Sequence, residues 1–562
     1  MKICIVGGVA GGASAATRLR RLDEGAKIVL LEKGKFISYA NCGLPYYVGG
    51  VIENRDELLV TEPELLRERF RIDVRTQNKV LSIDRNKKRL TVRNRETGDL
   101  YEESYDKLIL SPGAAPRRPD LTGADLPGVF TLRGVPDTLA IDSYIRDNGV
   151  TEALVVGGGF IGIEMAENLK RRGLAVTVAE FADQAAASLD REMANLIHRH
   201  LAEHGVSVRL KAGLAAISRD ADGGMTAVLT DGNRVSAGLI LLSMGVKPES
   251  GLAEAAGLEL DVGGSIAVNE YYETSDPDIY AVGDAVSVRS LVSHEKCLIP
   301  LAGPANRQGR IAAENVLGAK KTIGAGVQGS SVLKVFDLTA ASTGLNEKQL
   351  KAAGIPYRKT YVHPMSHASY YPGASQISMK LLFDGDGKIL GAQAVGQEGV
   401  DKRIDVIAAV MRLSGTVYDL EEMELCYAPP YSSAKDPVNM LGFTAANILK
   451  GDMPVFYAEE IAGLNPEESV FLDVSTPQEA RANTVPGFVN LPLDELRGRL
   501  SELDRKKTVY VTCRVGLRGY IAARILLQNG FSVRNLSGGY RTYSLMSEDK
   551  TVYEGKTLPL SP

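Results

Sequence analysis

Residues 152–180 read EALVVGGGFIGIEMAENLKRRGLAVTVAE, and this stretch decides the fold. An apolar run is followed by Gly157, Gly159 and Gly162, then by a helical stretch and a second apolar run that ends in Glu180. Glycine is needed at these spacings because a side chain would keep a pyrophosphate from the backbone and the helix from the strand. The stretch therefore predicts a βαβ unit that binds a dinucleotide, with the pyrophosphate at the N-terminus of the helix.

Glu180 indicates which dinucleotide this unit binds. A carboxylate at the end of the second strand accepts hydrogen bonds from the ribose hydroxyls and repels a 2′-phosphate. Phe181 follows it, where an arginine would favour that phosphate. We therefore expect NADH in preference to NADPH.

A second unit of the same kind begins at the N-terminus. An apolar strand precedes Gly7 and Gly12, a helix follows, and the next strand ends in Glu32. The match is imperfect because Val9 stands where the middle glycine belongs. Two such units in one chain predict two Rossmann-like dinucleotide sites.

The whole chain has the composition of a multidomain α/β protein. It has 562 residues, 44% of them hydrophobic, and 58 glycines, which predicts three or four domains with many tight turns. The net charge of −4 and the lack of a long apolar run argue against nucleic acid and membrane partners. Five scattered cysteines do not form a disulfide framework and favour a reducing cytoplasm.

Two further domains follow the dinucleotide units. The pattern changes to mixed α+β after about residue 325, and a small α/β domain begins near residue 455. The expected boundaries are 1–112 and 245–322 for the first dinucleotide domain, 113–244 for the second, 323–449 for the α+β domain, 450–460 for a linker, and 461–562 for the C-terminal domain.

Cys42 lies in the segment SYANCGLPYY at residues 38–47. Pro45 and Tyr47 occupy the third and fifth positions after it, so no local dithiol can form. If Cys42 is redox-active, its disulfide partner comes from elsewhere, most simply from a bound small thiol.

The first dinucleotide loop is supported by distant segments. The run TSDPDIYAVGD at 274–284 ends a strand in Gly-Asp, which can place a carboxylate against a polyol hydroxyl. With SPG at 111–113 and MGV at 244–246, the chain resembles the pyridine nucleotide–disulfide oxidoreductase family, and these two segments match the family's two chain crossovers between domains. The resemblance implies FAD on the first loop, an inserted NAD domain, and an α+β dimerisation domain. The implied cofactor contacts outside the two loops are Gly113, Gly245, Gly283 and Asp284.

The segment around Cys42 resembles one subgroup of that family. This subgroup has a single cysteine and contains coenzyme A disulfide reductases as well as NADH oxidases and peroxidases. The oxidases and peroxidases use a histidine near the flavin, and the turn around residue 10 has none, which argues against them. Phe160 resembles the aromatic residue that gates the nicotinamide face in relatives.

Ser14, Arg18 and Arg21 share one face of the first helix. A charged stripe there suits a polyphosphate tail, although a solvated helix face would look the same. In coenzyme A disulfide reductases the matching positions contact coenzyme A. The resemblance adds these further candidates for the same ligand: Ser38, Asn41, Arg69, Arg71 and Lys435.

Two tyrosine-containing segments, HASYYPG at 367–373 and CYAPPY at 426–431, resemble segments that these reductases donate across a dimer interface. Tyr370 or Tyr371 matches the first, and Tyr427 matches the second. A phenol can hydrogen-bond a departing thiolate and help to protonate it. The alternative is ordinary interface aromatics, and the resemblance implies a homodimer.

The C-terminal segments LDVSTPQEAR, PGFVNLP and VTCRVGLRG resemble a single rhodanese domain. Cys513 ends an apolar strand, and we expect it to be exposed at the start of a loop into a helix. Backbone N–H groups, with Arg514 and Arg518 nearby, would stabilise a thiolate or persulfide. The Cys-x₄-Arg spacing gives a six-residue loop, which suits a sulfur atom.

These features together predict an enzyme that passes electrons from NADH through FAD to a mixed disulfide of Cys42 and coenzyme A. The fused rhodanese indicates coenzyme A persulfide or polysulfide as the substrate, with coenzyme A thiol and sulfide as products. We expect the surroundings of Cys42 to activate its thiolate. Alternatives are a coenzyme A disulfide reductase and a flavoprotein sulfur relay or redox sensor with little turnover.

Three histidines, His198, His200 and His204, contain one helical i,i+4 pair. We interpret them as a surface helix and predict no metal. The sequence assigns no role to Cys297 or Cys426.

Overall fold

A computed structural model of the protein describes residues 1–220, 224–322, 324 and 326–555. The end of the predicted C-terminal domain, residues 556–562, lies outside this range. The chain forms two compact units, one of residues 1–182 and 209–329 and the other of residues 183–208 and 330–562.

The first unit opens with the predicted N-terminal dinucleotide fold. Its helix spans Ala10–Leu22 and packs with a second helix, Ala302–Val316. The parallel sheet has the strand order Ile279–Ala281, Lys107–Leu110, Lys2–Val6, Lys27–Leu31, Asp73–Arg75. The sheet is buried on both faces, as an all-parallel sheet requires, and Cys4 is one of its core residues. The distant TSDPDIYAVGD segment thus supplies a strand of this sheet, as predicted.

The second dinucleotide fold lies in the same unit. Its helix spans Phe160–Arg171. Its parallel strands within this unit have the order Ala175–Ala179, Glu152–Val156, Leu239–Leu242, Val129–Phe130. Short valine- and leucine-rich strands buried on both faces are typical of such units.

Smaller elements complete the first unit. The two predicted chain crossovers lie side by side, because Ala114–Pro116 pairs with Val246–Pro248. Two antiparallel sheets consist of Asn78–Asp84, Arg89–Asn94 and Leu100–Ser104, and of Leu214–Arg219, Met225–Leu229 and Arg234–Ala237. The remaining helices of four or more residues are Leu44–Val48, Arg55–Leu58, Pro63–Phe70, Val135–Asp147 and Gly251–Ala255.

The second unit contains the α+β domain and the C-terminal domain. The α+β domain has an antiparallel sheet in the order Ser331–Val335, Leu338–Gly344, Ile389–Gly396, Ser378–Phe383, Arg358–Val362. The helices of this region are Arg191–Glu203, Glu347–Ala352, Val400–Arg412, Val417–Glu422 and Pro437–Lys450.

The C-terminal domain has a parallel sheet in the order Val455–Phe456, Val533–Leu536, Thr508–Thr512, Ser469–Asp473, Val489–Asn490. Its helices include Pro477–Ala482, Leu517–Gln528 and Gly539–Met546. The first of these strands lies within the segment expected to be a linker. Its two apolar residues are buried against the sheet, and two residues are too few to show strand periodicity in the sequence.

The second unit contains a buried network of ion pairs. Lys380 is fully buried and pairs with Asp190, Glu192 and Glu347. Lys359 also pairs with Glu347. A buried ammonium needs such partners, since an unpaired charge in the interior is costly.

Among the described helices none is both long and apolar enough to cross a membrane.

Candidate active site

A cavity of about 710 Å³ opens beside the N-terminal glycine loop. Its lining includes Gly7, Val9, Glu32, Asn41, Ser111, Gly113, Gly283 and Asp284. The two segments predicted from distant parts of the sequence, at residues 111–113 and 283–284, therefore meet the loop at one cavity.

The loop geometry explains two of its glycines. Gly7 has φ +98°, and a Cβ there would lie 2.0 Å from the Ser111 carbonyl oxygen. A Cβ on Gly12 would lie 1.8 Å from the Gly7 carbonyl oxygen. Val9, in place of the middle glycine, lines the cavity itself. Gly7 is thus needed where the loop approaches Ser111, and Gly12 is needed where the helix approaches the loop.

Polar groups at this cavity fit a dinucleotide ligand. Glu32 accepts hydrogen bonds from the N–H groups of Gly8 and Gly34 at 2.9 and 2.7 Å. The Oδ1 atom of Asn41 is buried and has no hydrogen-bond partner among the described residues. Burial raises the pKa of Asp284, and the charge of Arg133, 3.7 Å away, opposes this rise. Buried acceptors of this kind suit the hydroxyl and amide donors of a bound cofactor.

In the second glycine loop, the fold requires some of the glycines and a bound ligand would require another. Gly157 has φ +109°, and a Cβ on Gly162 would lie 1.9 Å from the Gly157 carbonyl oxygen. Gly159 has an ordinary φ of −77°, and a Cβ there would meet no atom within 4 Å. The fold therefore does not need glycine at Gly159, whereas a ligand approaching the backbone would. Glu180 accepts hydrogen bonds from the N–H groups of Gly158 and Ala182.

The aromatic residues beside this loop are both accessible. Phe160 begins the helix and is partly exposed, and Phe181 is exposed.

Cys42 lies in a 3₁₀ turn, Asn41–Gly43, and is exposed. Its pKa is raised by desolvation from the packing around it and then by the charges of Glu164 and Asp284. Burial and the two carboxylates therefore disfavour the Cys42 thiolate. The expectation that the surroundings of Cys42 activate its thiolate is not met by these groups.

Glu164 is a residue that the sequence analysis missed. It lies on the helix Phe160–Arg171, and burial, with a contribution from the charge of Glu167, raises its pKa to about 7. No pattern in the sequence indicates that it influences Cys42, which is more than one hundred positions away.

The predicted charged stripe on the first helix is partly engaged. Arg18 forms an ion pair with Glu314 at 2.6 Å, and Arg21 donates to the carbonyl oxygen of Thr17. Ser14 donates a hydrogen bond to Asn306. The helical positions are as predicted, but the sequence could not reveal a carboxylate from a helix nearly 300 residues away.

The other candidates for a coenzyme A contact lie in different places. Ser38 adopts a left-handed φ of 42°. Arg69, Arg71 and Lys435 are exposed.

The two tyrosine segments meet. The hydroxyl groups of Tyr370 and Tyr427 are 2.9 Å apart, and both residues are exposed. The hydrogen bond between the two hydroxyl groups raises the pKa of Tyr370. Tyr371 is exposed and makes an edge contact with the ring of His367.

Cys513 is buried, with 1% of its surface exposed, so the expectation of an exposed thiol is wrong. Its Sγ atom accepts hydrogen bonds from the N–H groups of Gly516 and Gly519 at 3.2 and 3.3 Å. The side chain turns into its own loop because these donors, at the start of the helix Leu517–Gln528, surround the sulfur. Such an arrangement stabilises negative charge on sulfur.

Arg518 acts on this loop indirectly. Both of its terminal nitrogens contact Glu479, at 2.6 and 2.9 Å. Hydrogen bonding to Arg518 lowers the pKa of Glu479 to about 2. The guanidinium therefore anchors the loop to a neighbouring helix, and backbone amides hold the sulfur.

The five cysteines, all within the described residues, are unpaired. Cys297 is half-buried, and Cys426 is exposed next to Tyr427. His198 is buried and accepts a hydrogen bond from the Ala185 N–H group, so the interpretation of the three histidines as a surface helix is wrong for His198.

Fold and sites together define an oxidoreductase with two dinucleotide-binding folds and a separate C-terminal domain in which backbone N–H groups contact a cysteine sulfur. The chain belongs to the pyridine nucleotide-disulphide oxidoreductase family, which matches residues 1–309. The dimerisation domain of that family matches residues 330–437, and a rhodanese-like domain matches residues 457–545. The protein is thus an enzyme that acts on a sulfur group, and the family implies FAD and a nicotinamide nucleotide as cofactors. The predicted family and fold class are confirmed.

Similar proteins cover most of the chain. It is 39% identical over 445 residues to the coenzyme A disulfide reductase of Staphylococcus aureus (strain JH9), which covers 79% of this chain and 99% of that protein. The structure of reduced Bacillus anthracis CoADR-RHD is similar with a TM-score of 0.95 and 48% identity, over 97% of this chain and 98% of that one. A NAD-dependent persulfide reductase from A. fulgidus is similar with a TM-score of 0.89 and 38% identity, over 97% and 100% of the two chains.

Proposed function

We propose that the protein uses NADH to reduce coenzyme A persulfide, or polysulfide delivered through it, and releases coenzyme A thiol and hydrogen sulfide. The observation that carries this proposal is the sulfur of Cys513, held by two backbone N–H groups on the same chain as a disulfide-reductase fold. The similarity to a persulfide reductase over nearly the whole chain supports it. The five unpaired cysteines agree with a cytoplasmic location.

The proposed cofactors are FAD at the first glycine loop and NADH at the second. When bound, FAD accepts a hydride from NADH and supplies two electrons to a disulfide. Glu32 and Asp284 would hold polyol and ribose hydroxyls, and Asn41 offers a free acceptor. Gly113, Gly245 and Gly283 leave room at the crossovers and at the closing strand.

The preference for NADH rests on Glu180. Its carboxylate is fixed by two backbone N–H groups, and an anion held there would repel a 2′-phosphate. Phe160 would cover the nicotinamide face.

Cys42 is the proposed nucleophile. Its thiolate attacks the inner sulfur of coenzyme A persulfide, so that a Cys42–coenzyme A disulfide forms and hydrosulfide leaves. Two electrons and a proton then restore the Cys42 thiolate and release coenzyme A thiol. Since the charge of Glu164 raises the pKa of Cys42, protonation of Glu164 favours the reactive thiolate.

A homodimer completes the proposed site. Tyr370, Tyr371 and Tyr427 would come from the partner subunit and protonate the departing thiolate. The hydrogen bond between Tyr370 and Tyr427 supports their action as one unit. The proposed coenzyme A contacts are Ser14, Arg18, Arg21, Ser38, Asn41, Arg69, Arg71 and Lys435, with Arg18 shared between Glu314 and the ligand.

The C-terminal domain would collect sulfane sulfur as a persulfide on Cys513. The N–H groups of Gly516 and Gly519 would stabilise the persulfide anion. Arg514 would add positive charge to the loop, whereas Arg518 would hold the loop in place through its ion pair with Glu479. We place this domain at residues 461–562, after a linker at 450–460, and keep the other proposed domain boundaries unchanged.

Reduction of coenzyme A disulfide is the second candidate. The similarity to the Staphylococcus aureus reductase favours it, because 445 residues of this chain cover 99% of that protein. The chemistry at Cys42 would be the same, with a second coenzyme A thiol as the product in place of sulfide.

NADH consumption distinguishes these functions. We expect faster turnover with coenzyme A persulfide than with coenzyme A disulfide, loss of both activities in Cys42→Ser, and loss of polysulfide handling alone in Cys513→Ser. Cys426→Ser, an exposed cysteine, is the matched control and should keep both activities. Unchanged turnover in Cys42→Ser contradicts the mechanism, and negligible turnover with every substrate indicates a relay or sensor.

A further inference from the structure

A cluster of two histidines and one carboxylate lies in the second unit, on residues that the proposed reaction does not use. His200 and His204 are one turn apart at the C-terminal end of the helix Arg191–Glu203, and Asp337 comes from a hairpin. The nearest side-chain ligand atoms of the three residues all lie within 4.8 Å of one another. The sequence shows only the histidine pair, and the fold adds the carboxylate.

The distances within the cluster suit one small cation. The Nε2 atoms of His200 and His204 lie 2.7 and 3.7 Å from Oδ1 of Asp337. Ligand atoms around a tetrahedral ion with bonds of about 2.1 Å are about 3.4 Å apart, so each of these two distances to Asp337 needs to change by less than about one ångström.

The ring nitrogens that point away from the cluster have acceptors. Nδ1 of His204 lies 2.9 Å from the His200 carbonyl oxygen, which can only accept, so Nδ1 carries a proton and a neutral His204 has its lone pair on Nε2, on the side of Asp337. Nδ1 of His200 lies 3.5 Å from a carboxylate oxygen of Glu203. Histidines that bind metals donate their other N–H group to a carbonyl or carboxylate in this way.

The ligand atoms are positioned by neighbouring contacts. Nε2 of His200 is buried and has no hydrogen bond of acceptable geometry among the described residues, despite its short distance to Asp337. Gln397 donates to Oδ2 of Asp337 at 2.9 Å, which leaves Oδ1 for another partner.

The hairpin that presents Asp337 is strained. Phe336 has φ 55°, a left-handed conformation that bulky residues rarely adopt. Its ring stacks on His204 with a centroid distance of 4.1 Å and an angle of 8°. The turn thereby brings the ring and the adjacent carboxylate to the two imidazoles at once.

We propose that His200, His204 and Asp337 form a binding site for a divalent transition-metal ion of the zinc class. Two imidazole nitrogens and one carboxylate oxygen are donors that zinc and its neighbours bind well, and water completes the coordination. The ion would fasten the helix Arg191–Glu203 to the hairpin between Ser331–Val335 and Leu338–Gly344.

The test is equilibrium dialysis of the flavin-containing, chelator-treated protein against Zn²⁺, with quantification of bound metal. The wild type should bind one Zn²⁺ ion at this site. His204→Gln and Asp337→Asn should each bind it at least about 100-fold more weakly, because the loss of a group that only hydrogen-bonds a metal ligand already lowers metal affinity about 10–100-fold. Glu203→Gln should weaken binding about tenfold. Every protein retains all five cysteines, so binding by thiols cancels in the comparison.

His294→Gln is the matched control, because His294 is exposed and outside the cluster, and it should bind Zn²⁺ as the wild type does. Flavin content and circular dichroism establish that each variant is folded. Equal Zn²⁺ affinity in the wild type, His204→Gln and Asp337→Asn would overturn the proposal. Absence of an ion beyond those bound by thiols would also overturn it and leave the cluster an ion pair.

Discussion

Replacing Glu164 with glutamine should make Cys42 more reactive at alkaline pH. Burial, with a contribution from Glu167, raises the pKa of Glu164 from 4.5 to about 7, so its carboxyl is about one-tenth ionised at pH 6 and about nine-tenths ionised at pH 8. Its negative charge is one of the causes that raise the pKa of Cys42. Glu164→Gln removes that charge, so the variant and the wild type should differ little at pH 6 and clearly at pH 8.

Stability should change with the same pH dependence. The folded-state pKa of Glu164 is above its unfolded value, so the folded protein loses stability as pH rises from about 4.5 to about 7. At 1.36 kcal/mol per pH unit this loss amounts to about 3 kcal/mol, which glutamine avoids. Glu164→Gln should therefore unfold at a higher denaturant concentration than the wild type at pH 8 and at a similar one at pH 5.

Alkylation by iodoacetamide, followed on the Cys42 peptide by mass spectrometry between pH 6 and 9, measures the thiol directly. Glu53→Gln is the control, because Glu53 is exposed and lies near Cys42 in the sequence. Its alkylation profile should match that of the wild type. Identical alkylation profiles for Glu164→Gln and the wild type would refute the electrostatic argument.

Three further predictions concern the second unit. Lys380→Met leaves buried carboxylates without their main cation, and should lower the free energy of unfolding by about 3–5 kcal/mol in urea; a loss below about 1 kcal/mol would contradict the burial argument. Glu479→Gln removes the partner of Arg518 and should lower the free energy of unfolding by about 1 kcal/mol above pH 4.5. Because the folded-state pKa of Glu479 is lowered to about 2, this difference from the wild type should shrink as pH falls from 4.5 towards 2. Gly519→Ala would place a Cβ 2.1 Å from Oδ1 of Asn535 and displace a hydrogen-bond donor to the sulfur of Cys513. Cyanide-releasable sulfur on Cys513 should therefore form at least about tenfold more slowly. The NADH-dependent reduction of disulfide should be retained.

Local patterns in the sequence predicted most of the fold. The strands Lys2–Val6, Glu152–Val156 and Thr508–Thr512 follow from short apolar runs, and the glycine loops mark the turns that come after the first two. The strand Ile279–Ala281 was found because a Gly-Asp ending is informative in itself. The strand Val455–Phe456 was missed because it is too short to show a period.

Contacts between distant segments could not be predicted in the same way. Periodicity placed Arg18 on the correct helix face but could not reveal Glu314 opposite it. Cys513 was assigned to the correct loop, yet the direction of its side chain depends on donors that only the folded turn provides. The influence of Glu164 on Cys42 likewise exists only once the chain has folded.

The most direct test of the proposed chemistry is mass spectrometry of the protein after incubation with coenzyme A disulfide in the absence of NADH. We predict one coenzyme A attached through a disulfide to the peptide containing Cys42, removed when NADH is added. An adduct on another cysteine, a disulfide between Cys42 and a second protein cysteine, or no adduct at all would contradict the account.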